Sequence, residues 1–252
     1  MLFKITIAYD GTDFVGWQRQ ASGTSIQGLL EEALRDLDGR EVTVTGAGRT
    51  DAGVHALGQV ASFVLHRSME SPALIGALNA RLPATVRVVA AEEAADTFHA
   101  RFDATRKDYR YRIWNADVQS PFERAYAWHV SGVLDTAAMG AAAALLVGRR
   151  NFAAFQAAGS ATATSDREVF SSVVTAPKTC DPPLVIYEIS GSGFLRHMVR
   201  NIVGSLVEIG RGRRPVEWIT QVLEGRSRSL AGPTAPPHGL VLVAVEYGLQ
   251  SP

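Results

Sequence analysis

Between residues 46 and 55 the chain reads Gly46–Ala47–Gly48–Arg49–Thr50–Asp51–Ala52–Gly53–Val54–His55. Glycines this dense are poor material for helix or strand, because glycine loses much backbone entropy on ordering and admits positive φ. The segment reads as a shaped loop, and it carries an arginine and a carboxylate two residues apart. Where the backbone is extended, such a pair points to one side. A carboxylate presented this way suits nucleophilic attack or stabilisation of positive charge, and a guanidinium suits phosphate. Thr-Asp-Ala-Gly is also good β-turn sequence. An exposed Arg–Asp pair contributes only about 0–1 kcal/mol, so the residues alone leave a purely structural reading open.

Two other groups of residues invite chemistry. Tyr109, Tyr111 and Ile113 fall on one face of a strand, with Arg110 and Arg112 on the other. A tyrosine at a cleft edge stacks on a nucleobase for roughly 1–3 kcal/mol, while two tyrosines on one strand face equally describe sheet core. In Phe194–Leu195–Arg196–His197–Met198–Val199–Arg200–Asn201–Ile202–Val203–Gly204, helical spacing places Arg196, His197 and Arg200 on one face. Arg200 lies one position from the apolar stripe. A charge there either meets a carboxylate or snorkels to solvent.

Charge and composition bound what these groups serve. The 252 residues balance 25 basic against 25 acidic side chains, which argues against a general nucleic-acid coat protein. The basic residues cluster at Arg101, Arg106, Lys107, Arg110 and Arg112, and at Arg196, Arg200, Arg211, Arg213, Arg214, Arg226 and Arg228. Both clusters suit phosphate contacts or plain solvated faces. Hydrophobic residues make up 46%, typical of a soluble globular protein, and no apolar run reaches the roughly 20 residues of a membrane span. Met1–Asp10 is too short for a signal peptide. The single cysteine, Cys180, excludes an internal disulfide framework. Together these point to a reducing cytoplasm. There is no G-x-x-x-x-G-K-[ST], no H-E-x-x-H and no G-x-S-x-G, and the histidines lack metal-ligand spacing. An ATP-, NAD- or zinc-dependent enzyme is disfavoured: neither cofactor nor metal is expected.

The elements that must position these groups follow from periodicity. Leu2–Tyr9 is a strand ended by Asp10–Gly11. Thr24, with Gln27 as capping-box partner, opens a helix with Ile26, Leu29, Leu30, Ala33, Leu34 and Leu37 inside. Val42–Thr45 and Gln59–Leu65 are strands flanking the glycine loop. Ser71–Pro72 opens a helix stopped by Pro83, and Val86–Ala91 is a strand. This is the β-α-β-β-α-β order of a ferredoxin-like unit. The second half reads as strands Tyr109–Trp114, Tyr126–Val130, Phe170–Ala176, Leu184–Ser190 and Leu240–Tyr247. Its helices are an Asp135-capped one through Val147, then Leu195–Ile209 and Val216–Glu224. Ala157–Ser165 reads as a mobile loop. The expected fold is α+β, with two ferredoxin-like halves, residues 1–104 and 105–252, joined side by side with an active-site cleft between them.

Tyr9–Asp10–Gly11, Gly16–Trp17–Gln18–Arg19–Gln20, the Gly46–His55 loop, Tyr109–Arg110–Tyr111, His197–Gly204 and Gly239–Leu240, in that order, resemble the signature set of the tRNA pseudouridine synthase A family. The resemblance spans nearly the whole chain and is most specific at the Asp51 loop and at His197–Gly204. It implies an isomerase that converts uridine to pseudouridine in the tRNA anticodon stem-loop, at positions 38, 39 and 40. It implies tRNA as partner and a homodimer. By the same resemblance Asp51 is the catalytic aspartate and Tyr109 covers the target base. Arg200 pairs with the catalytic carboxylate, Arg49 helps open and hold the RNA, and Leu240 lines the uracil pocket.

The reaction detaches uracil from C1′, rotates it and rejoins it through C5. As an isomerisation it requires no redox cofactor, nucleotide or metal. It needs a carboxylate, a dry pocket and an acceptor for the C5 proton, and the target base must leave its stack. Two rivals remain. A non-catalytic RNA-binding protein has no use for a carboxylate facing an anionic ligand. A glycosidase usually needs two carboxylates, and the loop offers one.

Overall fold

Alternation over Leu2–Tyr9 forms the first strand, and the computed structural model buries Phe3, Ile5, Ile7 and Tyr9 on one face, with Leu2 buried on the other. Residues 1–157, 164–176 and 183–248 are described. Cys180 and most of the expected loop at 157–165 lie outside them. In chain order the elements are β1 (Leu2–Tyr9), α1 (Ile26–Asp38), β2 (Thr45–Gly46), β3 (His55–Val64), α2 (Ser71–Asn79), β4 (Val86–Glu93) and β5 (Ala104–Trp114). Then follow β6 (Trp128–His129), α3 (Thr136–Ala144), β7 (Gly148–Asn151), β8 (Asp166–Thr175), β9 (Leu184–Gly191), α4 (Met198–Gly210), α5 (Trp218–Gly225) and β10 (Leu240–Tyr247). The class is α+β. Two units are distinguished: Met1–Thr105 together with the chain from Val241, and Arg106–Leu240. The last strand, which chain order alone assigns to the second half, therefore belongs largely with the first unit.

In the first unit the strand order is β4-β1-β3, with β2 and β10 sharing the outer edge of β3. The β1–β3 and β1–β4 pairs are antiparallel, as the ferredoxin-like order requires. Ile26, Leu30, Leu34, Leu74 and Leu78 from the two helices and Phe3, Ile5 and Ile7 from β1 are buried. Each such side chain contributes about 1.5–3 kcal/mol by leaving water.

Four local expectations need correction in this unit. Ser25, not Thr24, caps α1, its side chain accepting from Gly28 N–H. Gln27 is not a capping-box partner; its amide donates to the Val44 carbonyl at 3.0 Å and to Glu31 Oε1 at 3.1 Å. The Val42–Thr45 strand shrinks to Thr45–Gly46, because side chains of α1 satisfy the Val44 backbone: its N–H goes to Glu31 Oε1 at 3.3 Å. β3 starts at His55, earlier than Gln59, because Val241 and Leu242 pair in parallel with His55 and Ala56.

In the second unit the order is β5-β9-β8-β7, each neighbouring pair antiparallel, with β6 beside β5. The run β5-α3-β8-β9-α4 repeats β1-α1-β2-β3-α2, and β5-β9-β8 repeats β1-β3-β2. Asp135 caps α3 by accepting from Ala138 N–H at 2.9 Å. The helix stops at Ala144 rather than Val147, since Leu145, Leu146 and Val147 donate to carbonyls three residues back, a tightened final turn. Tyr126–Val130 pairs only at Trp128–His129, because Tyr126 and Ala127 donate to Glu123 in a turn. α4 begins at Met198, not Leu195. His197 sits at φ 62, a left-handed conformation that no α-helix can include. Arg196 and His197 therefore do not share a helical face with Arg200.

Candidate active site

The Asp51 loop has little regular structure, yet its backbone groups find partners. Thr50 C=O accepts from Trp17 N–H at 3.1 Å, Asp51 C=O from Val54 N–H at 3.1 Å, and Gly53 N–H donates to Phe14 C=O at 3.4 Å. Gly48 C=O accepts from the Gln59 side-chain amide at 3.0 Å. The partners come from the β1–α1 connection and from β3, so the loop is clasped from two sides. Gly16 makes that approach possible. Its φ is +104, and a Cβ there would stand 2.6 Å from the Thr50 carbonyl oxygen.

Thr50 is buried at the centre of this clasp, while Asp51 is half-buried and Arg49 exposed. The Tyr9 and Thr50 hydroxyls are 2.8 Å apart, and Gln59 Nε2 approaches Tyr9 Oη at 3.4 Å. Burial pushes the Tyr9 phenol up to about 12, partly offset by these two hydrogen bonds, so it stays protonated at neutral pH. At the end of the loop His55 Nδ1 accepts from Gly11 N–H at 3.0 Å. Asp10 Oδ1 also lies 3.1 Å from that nitrogen, but it already accepts from the Thr12 N–H and hydroxyl. Both contacts hold the imidazole against the β1–α1 connection. Tyr9, Trp17 and Gln59 escaped a role in the sequence reading. The first two lie in quoted motifs, and Gln59 is signalled only as a polar residue inside an apolar strand.

The second unit holds Tyr109, Arg200 and Leu240. Tyr109 is buried on β5, edge-on to Phe194 with centroids 5.2 Å apart. Tyr111, two residues on, is fully buried and donates to the Pro236 carbonyl at 2.8 Å, so it is core. Arg200 stands in the first turn of α4, where a cation opposes the helix dipole. It is half-buried, and its Nε donates to the Ala235 carbonyl at 2.8 Å, while Ala235 N–H returns to the Arg200 carbonyl at 3.1 Å. Leu240 is buried at the start of β10, after the turn Pro237–Gly239.

The segment reaching Ala235 is fixed to α4 by polar side chains. Asn201 is fully buried. Its amide donates to Phe155 C=O at 2.8 Å, and its carbonyl accepts from Thr234 Oγ1 at 2.6 Å and Arg228 Nη2 at 3.1 Å. Ser205 Oγ accepts from Gly232 N–H at 2.9 Å. Gly204 lets this backbone lie against the helix, since a Cβ there would collide with the Pro233 carbonyl. Arg228 and Asn201 thus tie this segment to α4, a role their place in a basic cluster and an apolar helix did not disclose.

Many of the clustered cations are spoken for. Arg106 meets Asp108 at 2.8 Å, Arg110 meets Glu188 at 2.8 Å, Arg112 meets Glu123 at 2.7 Å and Arg213 meets Glu208 at 3.0 Å. Arg211 and Arg226 are exposed, and Arg214 lies over the Trp218 ring at 5.1 Å. Among the described residues no group of three or more His, Cys, Asp or Glu side chains is placed to hold a metal ion. Nor is any helix among them long and apolar enough to cross a membrane.

The chain as a whole resembles known proteins. The family model described as tRNA pseudouridine synthase matches residues 5–103 and 142–248. The chain is 48% identical over 248 residues to the tRNA pseudouridine synthase A of Syntrophotalea carbinolica, covering 98% of this chain and 96% of that one. It is 47% identical over 244 residues to that of Myxococcus xanthus, covering 97% and 91%. The tRNA pseudouridine synthase A of Moorella thermoacetica is 47% identical over 246 residues, covering 97% and 98%.

Proposed function

This chain belongs to the tRNA pseudouridine synthase family, isomerases acting on tRNA, and we propose that it acts on uridines of the anticodon stem-loop with Asp51 as its catalytic carboxylate. The observation carrying this reading is the Asp51 loop itself. A carboxylate stands half-buried on a loop whose backbone is clasped by β3 and by the β1–α1 connection. Fixed geometry is what an attacking or charge-stabilising group needs. In the reaction the C1′–N1 bond breaks, the uracil turns, and a C1′–C5 bond forms. C5 gives up a proton and N1 ends with one, so the atoms balance without cofactor or metal. Asp51 serves as nucleophile or as stabiliser of the developing sugar charge.

Tyr109 covers the target base, Arg200 supports the catalytic carboxylate, Arg49 steadies the opened RNA through phosphate, and Leu240 lines the uracil pocket. Arg49 is exposed, as a residue that meets RNA must be. The enzyme works in the cytoplasm as a homodimer whose tRNA surface draws on both subunits; the chain's zero net charge makes one subunit's basic surface modest for the task.

The test is incubation with unmodified tRNA followed by mapping of pseudouridine. Formation in the anticodon stem-loop by the native chain, and its abolition in Asp51→Asn with tRNA affinity retained, is the expected result. Asp51→Asn that still turns over, with no deamidation back to aspartate, overturns the assignment. tRNA binding without any pseudouridine leaves an RNA-binding protein instead.

A further inference from the structure

Asp51 is preceded by a hydroxyl that the reaction does not use. Thr50 is buried, and its Oγ1 lies 2.8 Å from the hydroxyl of Tyr9, itself buried at the end of β1. Gln59, fully buried in β3, sends one Nε2 to the Gly48 carbonyl at 3.0 Å and towards Tyr9 Oη at 3.4 Å. Its Oε1 accepts from Val60 N–H at 3.2 Å. The loop is therefore gripped on both sides of Arg49, at Gly48 and at Thr50, by two side chains anchored in neighbouring strands of one sheet. A buried polar group is expensive unless paired, and threonine's backbone bond to Trp17 would hold the turn without a hydroxyl. The Thr50–Tyr9 contact adds a constraint on rotation about the backbone immediately before Asp51.

We propose that Thr50, Tyr9 and Gln59 form a positioning device that fixes the orientation of the Asp51 carboxylate for turnover, with no part in holding tRNA. Gln59 donates to Tyr9, the Tyr9 and Thr50 hydroxyls share one hydrogen bond, and Thr50 carries the constraint into the adjoining residue. A reacting group must be held within roughly 0.5 Å and 10–20° of its productive geometry, so loss of one such bond acts on rate before it acts on fold. The inference rests on Asp51 being the catalytic carboxylate.

The test compares Thr50→Val, Thr50→Ser and Tyr9→Phe in single-turnover pseudouridine formation, with tRNA affinity and thermal unfolding measured in parallel. Thr50→Val keeps the shape and removes the hydroxyl. It should slow the step by about 10–100-fold with affinity within about twofold of the native chain. Thr50→Ser restores the hydroxyl and should recover most of the rate. Tyr9→Phe removes the Gln59 contact as well and should slow the step at least as much as Thr50→Val, and the double variant should be no slower than Tyr9→Phe alone, because the Thr50–Tyr9 bond is already lost in it. Thr50→Val and Tyr9→Phe that react at the native rate per folded molecule overturn the proposal. So does a loss that appears in affinity rather than rate, or one that serine does not relieve. If Thr50→Val is too unstable to assay, Tyr9→Phe decides by the same readings. If the native chain itself forms no pseudouridine, the functional reading fails and this inference falls with it; native turnover with unaffected variants overturns this inference alone.

Discussion

Replacing Asn201 by leucine tests whether the polar junction on α4 is structural in the way its geometry demands. The side chain is fully buried and serves three partners. In Asn201→Leu the Phe155 carbonyl loses its side-chain donor, and an unpaired buried carbonyl costs about 1–3 kcal/mol. Arg228 and Thr234 lose an acceptor but keep each other at 3.0 Å, and Arg228 also reaches Ala231 at 3.4 Å, so their share is about 1 kcal/mol. Leucine's extra apolar burial returns roughly 1 kcal/mol. The net expectation is a loss of about 1–3 kcal/mol, which for a chain of this size lowers Tm by roughly 2–12 °C. Urea unfolding and thermal melts measure it. Arg228→Met supplies the control. If the junction is one network, the double variant should be less destabilised than the sum of the singles by at least about 0.5 kcal/mol. A Tm within about 1 °C of native for Asn201→Leu, or strict additivity with Arg228→Met, refutes the reasoning.

Other outcomes follow from particular contacts. Gly16→Ala places a Cβ against the Thr50 carbonyl at a φ of +104 and should cost about 1–3 kcal/mol or more, with turnover falling with it; an unchanged melt and rate would show that the clasp yields freely. Alkaline stability should fall through the window from 10.0 to about 12, the ordinary and folded values for Tyr9: a raised folded pKa contributes stability that is complete below pH 10 and lost as pH climbs. Tyr9→Phe should remove that group's share, up to about 1.4 kcal/mol per pH unit, read from urea midpoints across pH 9–12. tRNA affinity should drop steeply between low and physiological salt, and Arg211→Ala should flatten the slope by about one charge without changing single-turnover rate; a flat salt dependence would rule out phosphate contacts as the main grip. Tyr109→Phe keeps the ring packed on Phe194 and should stay far more active than Tyr109→Leu; equal losses would assign the role to the hydroxyl rather than to stacking.

The sequence by itself determined whatever depends on local periodicity and on residue type. The alternation of Leu2–Tyr9, the apolar stripe of α1, the Asp135 cap, and the alternation of β5 that sets Tyr109, Tyr111 and Ile113 on one face are all properties of neighbours along the chain. So is the loop character of the Asp51 segment. Its likeness to a family was readable because the family's motifs are contiguous. Tertiary structure decided what depends on residues far apart. That Val44 leaves the ladder was fixed by two side chains of α1, and that β3 reaches back to His55 was fixed by a strand almost two hundred residues later. Helix propensity could not place the start of α4, because one left-handed residue, His197, overrides a good apolar pattern. The hydroxyl chain from Gln59 through Tyr9 to Thr50 and the Asn201 junction were invisible for the same reason. A hydrogen bond needs two groups within about 3 Å, and only folding brings partners so distant in sequence to that range.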